Sequence, residues 1–305
     1  MTREICVAGN RRVAFEVGGS ADGTPVFLLH GTPGSRSGPR PRASVLYRLG
    51  IRLVSYDRPG YGGSDPQPGR TVADAAADIQ AIADELELDT FGVVGRSGGG
   101  PHALACAALL GNRVSRAACL VGLAPSDAED LDWYAGMSRS NTEEYKNGNI
   151  PELRAQISAL AERIREDPEQ MLNDLLKDDL VDSDESVVRD VAIQRLLTNT
   201  YQEAVRKGGD GWVDDVLALR RPWRFDPASI KVPVLLWHGA DDVFSPASHT
   251  LWLAQQIQGS VVAVQSGAAH FSAFEVLPSA LAWVKDPSSS EGLRIQNAHQ
   301  PALLP

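Results

Sequence analysis

The residues most able to do chemistry centre on Ser97, in the run Gly95-Arg96-Ser97-Gly98-Gly99, a G-x-S-x-G pattern. A serine hydroxyl is a poor nucleophile by itself. It needs a base within hydrogen-bond reach and a third group that orients the base. The pattern follows the strand-like run Phe91-Gly92-Val93-Val94-Gly95 and opens a helix-like one. A tight turn at that place lifts a serine above a sheet, and its neighbours must be small because the backbone is crowded. A Gly-rich turn between strand and helix can also be purely structural or can hold a phosphate, so the context carries the catalytic reading rather than the five residues.

His270 is the base that the chain order offers. It lies in Ser266-Gly267-Ala268-Ala269-His270-Phe271, just beyond the last strand-like run. The other histidines are worse placed: His102 is inside the helix after Ser97 and should project away from it, His249 is in a helix, and His299 is near the C-terminal end. His30 and His238 end strands directly before glycines. For the orienting acid, Asp241 and Asp242 both follow the strand-like run over residues 232–238, and a loop at the end of a sheet strand is where a carboxylate can reach the base. Either could instead cap the helix that starts near Pro246. The chain order is then serine, acid, histidine, the order this chemistry takes on one particular fold.

The elements that must position these groups alternate along the chain. Short apolar runs at residues 26–30, 52–57 and 91–95 fit strands buried on both faces of a parallel sheet. Between the last two, Val72, Ala75, Ile79, Ile82 and Leu86 recur at helical steps, with Thr71 and Asp74 spaced as a capping box. A helix over residues 99–110 and a strand over 117–123 follow. This βαβα order predicts an α/β fold, a mostly parallel central sheet with helices on both faces. The texture changes near Pro125. Residues 126–225 lack strand-like runs and show helix-period segments at 150–165, 167–180 and 185–205. That stretch carries 13 Lys and Arg against 22 Asp and Glu, so nine of the chain's ten net negative charges sit there. A helical cap over residues 126–225, inserted into a core of residues 1–125 and 226–290, explains the change. Strands resume at 232–238 and 260–265, and residues 291–305 read as a flexible tail.

Composition removes several function classes. With 305 residues, 43% hydrophobic and 22% charged, the chain can bury a sizeable core. A net charge of −10 argues against nucleic-acid or anionic-membrane partners, which reward clustered Lys and Arg. The longest apolar run, residues 103–110, is far short of a membrane span, and the opening residues hold no secretory apolar core, so a cytoplasmic location is expected. Cys6, Cys106 and Cys119 are isolated and in no metal-ligand spacing. They are expected to be buried free thiols, with no metal and no disulfide framework.

Further motifs identify the chain as a member of the α/β-hydrolase superfamily by resemblance. His30-Gly31-Thr32-Pro33-Gly34 resembles that family's oxyanion loop, and Asp57-Arg58-Pro59-Gly60-Tyr61-Gly62-Gly63-Ser64 resembles its D-x-x-G-x-G-x-S loop. Gly239-Ala240-Asp241-Asp242-Val243-Phe244-Ser245-Pro246 resembles its acid segment, whose spacing selects Asp242. The resemblance covers residues 4–124 and 226–285. It implies Ser97 as nucleophile, His270 as base and Asp242 as orienting acid. It also implies an oxyanion hole formed by the backbone N–H groups of Thr32 and Gly98, where one donor is worth about 2.7–4 kcal/mol. Asp57 and Arg58 are expected to fix their loop, with His30 supporting the site from behind.

The resemblance also bounds the reaction. A serine at the nucleophile position argues against the aspartate-nucleophile dehalogenases and epoxide hydrolases. The expected function is hydrolysis of a small, largely apolar carboxylic ester or lactone through an acyl-enzyme on Ser97, with no cofactor. The alternatives are a proline-type aminopeptidase, a carbon–carbon hydrolase, a cofactor-free lyase on the same residues and, last, a non-catalytic ligand receptor. The expected partner is a small-molecule substrate, and the chain is expected to be a monomer or homodimer. Trp133, Tyr134, Met137 and Trp212 are the candidate pocket residues, with Tyr145, Tyr201 and Trp223 as further aromatic residues of the cap. Arg96 is expected in an ion pair beneath the turn, and Arg36, Arg40 and Arg42 on a surface loop. Gly98 leaves space that either widens the pocket or eases packing.

Overall fold

The computed structural model describes residues 2–177, 180–286 and 288. One sheet of eight strands runs through the molecule: β1 (Arg3–Val7), β2 (Arg11–Gly19), β3 (Thr24–Leu29), β4 (Ile51–Tyr56), β5 (Phe91–Arg96), β6 (Val114–Leu120), β7 (Val234–Gly239) and β8 (Val261–Gln265). Their spatial order is β1-β2-β4-β3-β5-β6-β7-β8. The pairs β1–β2 and β2–β4 are antiparallel, and the remaining pairs are parallel. The expected strands are present with ends moved by up to three residues. The β1–β2 hairpin is the addition. β1 at the edge mixes charged and apolar residues and is largely exposed, and β2 buries only Val13, Ala14 and Phe15 between charged and glycine residues, so the hairpin lacks the long apolar run of a strand buried on both faces.

Strand residues alternate between two apolar layers because successive side chains leave opposite faces. Phe27, Leu29, Val54, Val93, Cys119 and Leu236 pack with α2 (Ala75–Glu85), α3 (Gly99–Leu109) and α10 (Ala247–Gln256). Val26, Leu28, Leu53, Val94, Leu120 and Trp237 face α1 (Ala43–Leu49) and α11 (Ala273–Lys285). The capping box is formed, with the Thr71 N–H donating to Asp74 Oδ2 at 2.6 Å and one 3-10 turn leading into α2. Cys106 and Cys119 are buried, and burial pushes the Cys119 thiol up to about 12. Cys6 departs from expectation: it sits exposed on β1. Among the described residues no helix is long and apolar enough to cross a membrane.

Between β6 and β7 lie α4 (Arg139–Lys146), α5 (Ile150–Glu166), α6 (Pro168–Lys177), α7 (Asp182–Val188), α8 (Val191–Ala204) and α9 (Asp210–Leu219). The single helix expected over 185–205 is two. Asp190 breaks it by accepting the Ala192 and Ile193 N–H groups at 2.8 and 3.1 Å, an N-cap that starts α8 afresh. The segment expected over 167–180 ends as α6, with residues 178–179 outside the described set, and the expected tail over 291–305 lies outside it too.

These helices meet the sheet loops most closely where α9 crosses the loop after β4. A Cβ on Gly211 would lie 2.6 Å from the Gly60 carbonyl carbon, and one on Gly60 would lie 2.7 Å from Gly211 Cα. Backbone therefore packs on backbone. Gly60 also sits at φ +86°, which suits glycine. Gly211→Ala separates two effects of opposite sign. Helix propensity alone would raise stability by up to about 1 kcal/mol, whereas the contact predicts a net loss of about 1–3 kcal/mol. Urea midpoints of the two proteins decide between them.

Candidate active site

Ser97 sits on the turn between β5 and α3 with φ +55°, in the left-handed region that a non-glycine residue rarely adopts. The turn is held by the Ser97 N–H donating to the Leu120 carbonyl at 2.9 Å and by the Gly100 N–H donating to the Ser97 carbonyl at 2.8 Å. Its glycines are required sterically. A Cβ on Gly95 would lie 2.1 Å from the Gly99 carbonyl oxygen, and one on Gly99 would lie 2.4 Å from the carbonyl oxygens of Leu29 and His30. Strained backbone of this kind persists only where the surroundings over-determine it, which is common where a side chain is put to use.

Across the sheet's C-terminal edge, His270 Nδ1 lies 2.8 Å from Asp242 Oδ2. Asp242 belongs to the loop after β7 and His270 to the loop after β8. The other Asp242 oxygen accepts the backbone N–H groups of Phe244 and Ser245 at 2.8 and 3.0 Å. The turn function and the histidine contact therefore belong to the same carboxylate, one oxygen for each. Burial pushes the Asp242 carboxyl up, but the His270 and His238 rings outweigh it and hold it well below the usual range. Asp241 is exposed and turned to Ser183 Oγ at 3.5 Å. Asp184 of α7 adds a second carboxylate to the histidine loop: it accepts the His270 and Phe271 backbone N–H groups at 3.1 and 2.6 Å. No sequence motif pointed to it.

The loop after β3 faces Ser97 from the other side. Among the described residues the backbone N–H groups of Thr32 and Gly98 donate no hydrogen bond. Gly98 does not widen the pocket. A Cβ there would lie 2.2 Å from Thr32 Oγ1, so the threonine side chain fills that space. Thr32 Oγ1 donates to Asp215 Oδ2 at 2.6 Å, and Asp215 also accepts from Tyr61 Oη at 2.9 Å and Arg70 at 2.6 Å. Arg58 completes the cluster, bonding Asp215 and the carbonyls of His30 and Gly31. Burial raises the Asp215 carboxyl, but Arg58 and Arg70 outweigh it and hold it well below the usual range. His30 Nε2 accepts the Arg58 backbone N–H at 3.1 Å and its Nδ1 meets the Gly31 carbonyl at 2.8 Å. Burial, then the Arg58 charge, keeps that ring neutral. His102 turns from Ser97 toward the Gly98 carbonyl at 2.6 Å, and burial lowers it to about 3. Arg36 is buried with Asp57, Glu203 and Glu16 rather than lying on a surface loop.

Ser97, Thr32 and His270 open onto one cavity of about 810 Å³. Its wall includes Leu123, Leu153, Ile157, Leu160, Phe244 and Phe271. Of the four aromatic and methionine candidates, Trp212 lines it; Trp133, Tyr134 and Met137 do not. Trp133 is buried, with its Nε1–H on the Ala124 carbonyl at 2.8 Å and its ring against Tyr134, Tyr145 and His249. The helices needed an aromatic core of their own, and Trp133 serves it. Tyr145 and Tyr201 do reach the cavity, whereas Trp223 stacks on Phe225. Among the described residues no group of three or more His, Cys, Asp or Glu is placed to hold a metal ion.

Arg96 overturns the expected ion pair. Its guanidinium has no carboxylate or carbonyl partner among the described residues, and its Nε is enclosed without an acceptor. It lies over the Phe274 ring at 4.1 Å and near that of Phe271 at 5.4 Å. Such contacts return about 0.5–2 kcal/mol against a desolvation cost of several kcal/mol for a buried ion. The motif could not have revealed this, because the missing partner is a property of the packed loops.

A family model described as the alpha/beta hydrolase fold matches residues 24–276. The AB hydrolase superfamily protein YisY of Bacillus subtilis is 25% identical over 256 residues, 83% of this chain and 87% of its own. An enol-lactonase from Burkholderia xenovorans superposes with a TM-score of 0.68 at 20% identity, covering 93% of this chain and 98% of that one. An esterase from Exiguobacterium antarcticum gives 0.64 at 24% identity, covering 92% and 99%.

Glu144 of α4 is the unexpected carboxylate of the cavity wall. It accepts the Trp212 Nε1–H at 3.0 Å and has no cation beside it among the described residues. Burial pushes it up to about 7 against that hydrogen bond. A carboxyl whose folded value exceeds its unfolded value stabilises fully below the unfolded value, and that contribution is lost as pH rises through the folded one. Glu144→Gln keeps an acceptor for Trp212 and removes the titration. Its melting temperature is expected to gain on wild type progressively from about pH 5 to pH 8. A difference that stays flat across that range, measured by calorimetry, refutes the assignment.

Proposed function

Because the chain belongs to the α/β-hydrolase family, we propose that it is a serine hydrolase of a carboxylic ester or lactone, acting through an acyl-enzyme on Ser97. The observation that carries this reading is the 2.8 Å contact between His270 Nδ1 and Asp242 Oδ2 beside a cavity that His270 shares with Ser97. The ring nitrogen facing Asp242 is the donor. The other, Nε2, is left as the acceptor that can take the Ser97 proton.

As His270 Nε2 takes that proton, Ser97 Oγ bonds to the carbonyl carbon and the carbonyl π pair moves onto oxygen. The N–H groups of Thr32 and Gly98, free of other partners, receive the oxyanion. Asp242 stabilises the imidazolium without taking its proton. Collapse of the intermediate breaks the bond to the alcohol oxygen, which leaves with the proton from His270. Water then repeats the sequence: it gives a proton to His270, attacks the acyl carbon, and releases the acid as the proton returns to Ser97 Oγ. Among the described residues Ser97 Oγ makes no hydrogen bond, and such contacts tighten when substrate is bound. The leucine and isoleucine wall suits a largely apolar substrate.

The test is intact mass after treatment with a fluorophosphonate. One adduct on wild type is expected, mapped to Ser97 and absent from Ser97→Ala and His270→Ala. No adduct on folded wild type, or an adduct elsewhere, overturns the assignment. In ester assays Asp242→Asn is expected to lower kcat by up to about 10⁴-fold, because the wrong ring nitrogen would then carry the proton.

A further inference from the structure

Arg58, fully buried, and Arg96, half-buried at the end of β5 next to Ser97, have surroundings that differ in kind. Arg58 has every sign of a structural ion: its donors go to Asp215 and to the His30 and Gly31 carbonyls. Arg96 directs its donors to nothing in the described protein. Its Nη1 lies 3.2 Å from where a Cβ on Gly31 would stand, so the guanidinium rests against the oxyanion loop beside Ser97. Phe274 and Phe271 cover it from the ring side, and the residue lines the cavity. A guanidinium with a covered face and a free edge presents a fork of parallel N–H donors.

Tyr201 of α8 stands in the same wall. Its hydroxyl has no hydrogen-bond partner among the described residues, and Arg96 is the charge that acts on it. The nearby carboxylates are already engaged: Asp184 holds the His270 and Phe271 amides, and Asp242 holds His270 and its own turn. Glu144 is bonded to Trp212. What remains beside the nucleophile is a cation without a hydrogen-bonded partner and an idle hydroxyl, in a wall that mixes apolar side chains such as Leu160 with polar ones such as Asn141 and Lys146.

We propose that Arg96 and the Tyr201 hydroxyl form a carboxylate-binding subsite, and that the ester or lactone cleaved by this chain carries a free carboxylate. The nature of the cleaved bond rests on the hydrolase reading above; the subsite rests on Arg96 and Tyr201 alone. A carboxylate accepts both edges of the guanidinium fork, so geometry selects it over a neutral acceptor. The rest of such a substrate meets Leu123, Ile157 and Leu160.

Calorimetric titration of Ser97→Ala with monomethyl half-esters of the malonate-to-adipate series, beside the matching dimethyl esters, reads the subsite without turnover. At least one half-ester is expected to bind about ten- to a hundredfold tighter than its diester. Adding Arg96→Met should collapse that preference, and adding Tyr201→Phe should reduce it severalfold. Arg96→Lys, which keeps the charge and the stacking stem, should retain part of it if the methionine variant fails to fold. Diesters that bind as tightly as every half-ester, or a preference that survives loss of the guanidinium, overturn the proposal. Failure of the hydrolase reading appears separately, as a wild type that takes no fluorophosphonate on Ser97 while still preferring the half-ester.

Discussion

Asp215 of α9 is the point on which the site's geometry turns. Its carboxylate is fully buried and accepts from Thr32, Arg58, Tyr61 and Arg70. Thr32 comes from the loop after β3, Arg58 and Tyr61 from the loop after β4, and Arg70 from the segment before α2. One carboxylate on the inserted helices therefore sets two connections of the sheet, the loop after β3 and the long segment between β4 and α2, against each other. Arg58 extends the constraint to the carbonyls of His30 and Gly31, which fixes the peptide planes leading to the Thr32 N–H. A buried ion cluster of this sort is weak evidence for net stability, since desolvation opposes its Coulomb energy. Its consequence here is positional: displacing any one of these donors removes a hydrogen bond from a buried charge.

A second carboxylate repeats the device on the other side of Ser97. Asp184 of α7 is buried and grips the His270 and Phe271 amides. Around it, Val187, Val188 and Leu197 pack on Phe271 and Phe274. The inserted helices thus hold the Thr32 loop through Asp215 and the His270 loop through Asp184. The loops that carry Thr32 and His270 are both held by carboxylates far along the chain from Ser97. A shift of α7 or α9 is therefore transmitted as a shift of these loops.

The cavity between these clamps is divided in character. Hydrocarbon from α5 and the loops covers part of the wall, and Lys146 and Arg163 also reach it, the first over the Tyr134 ring and the second paired with Asp174. Arg96 and Glu144 contribute ionisable groups that make no ion pair with the described residues. Burial acts on the two differently. It raises the Glu144 carboxyl to about 7, which lets the group shed its charge near neutral pH. A guanidinium cannot escape in that way and keeps its charge. The asymmetry leaves a fixed cation next to Ser97 and a switchable carboxyl elsewhere in the wall.

The local elements were legible because each obeys a short-range rule. Strands buried on both faces read as apolar runs, α2 announced itself by period and capping box, and the turn at Ser97 by glycines that no side chain could replace. The hairpin β1–β2 escaped because the edge strand β1 is largely exposed and the buried run of β2 is only three residues long. Motif spacing selected Asp242, and the packed loops bring its carboxylate to His270 while leaving Asp241 in solvent. Partnership was not legible. Whether an arginine is paired, as Arg36 is, or left open, as Arg96 is, depends on which distant loops arrive beside it. The same holds for Trp133 and Trp212, both buried in one core, of which only Trp212 reaches the cavity. Sequence by itself determined the fold and the order of the reactive groups, since periodicity and turn sterics are local. Only the tertiary structure decided what fills the space around Ser97, because desolvation and charge pairing are set by neighbours that the chain brings together from far apart.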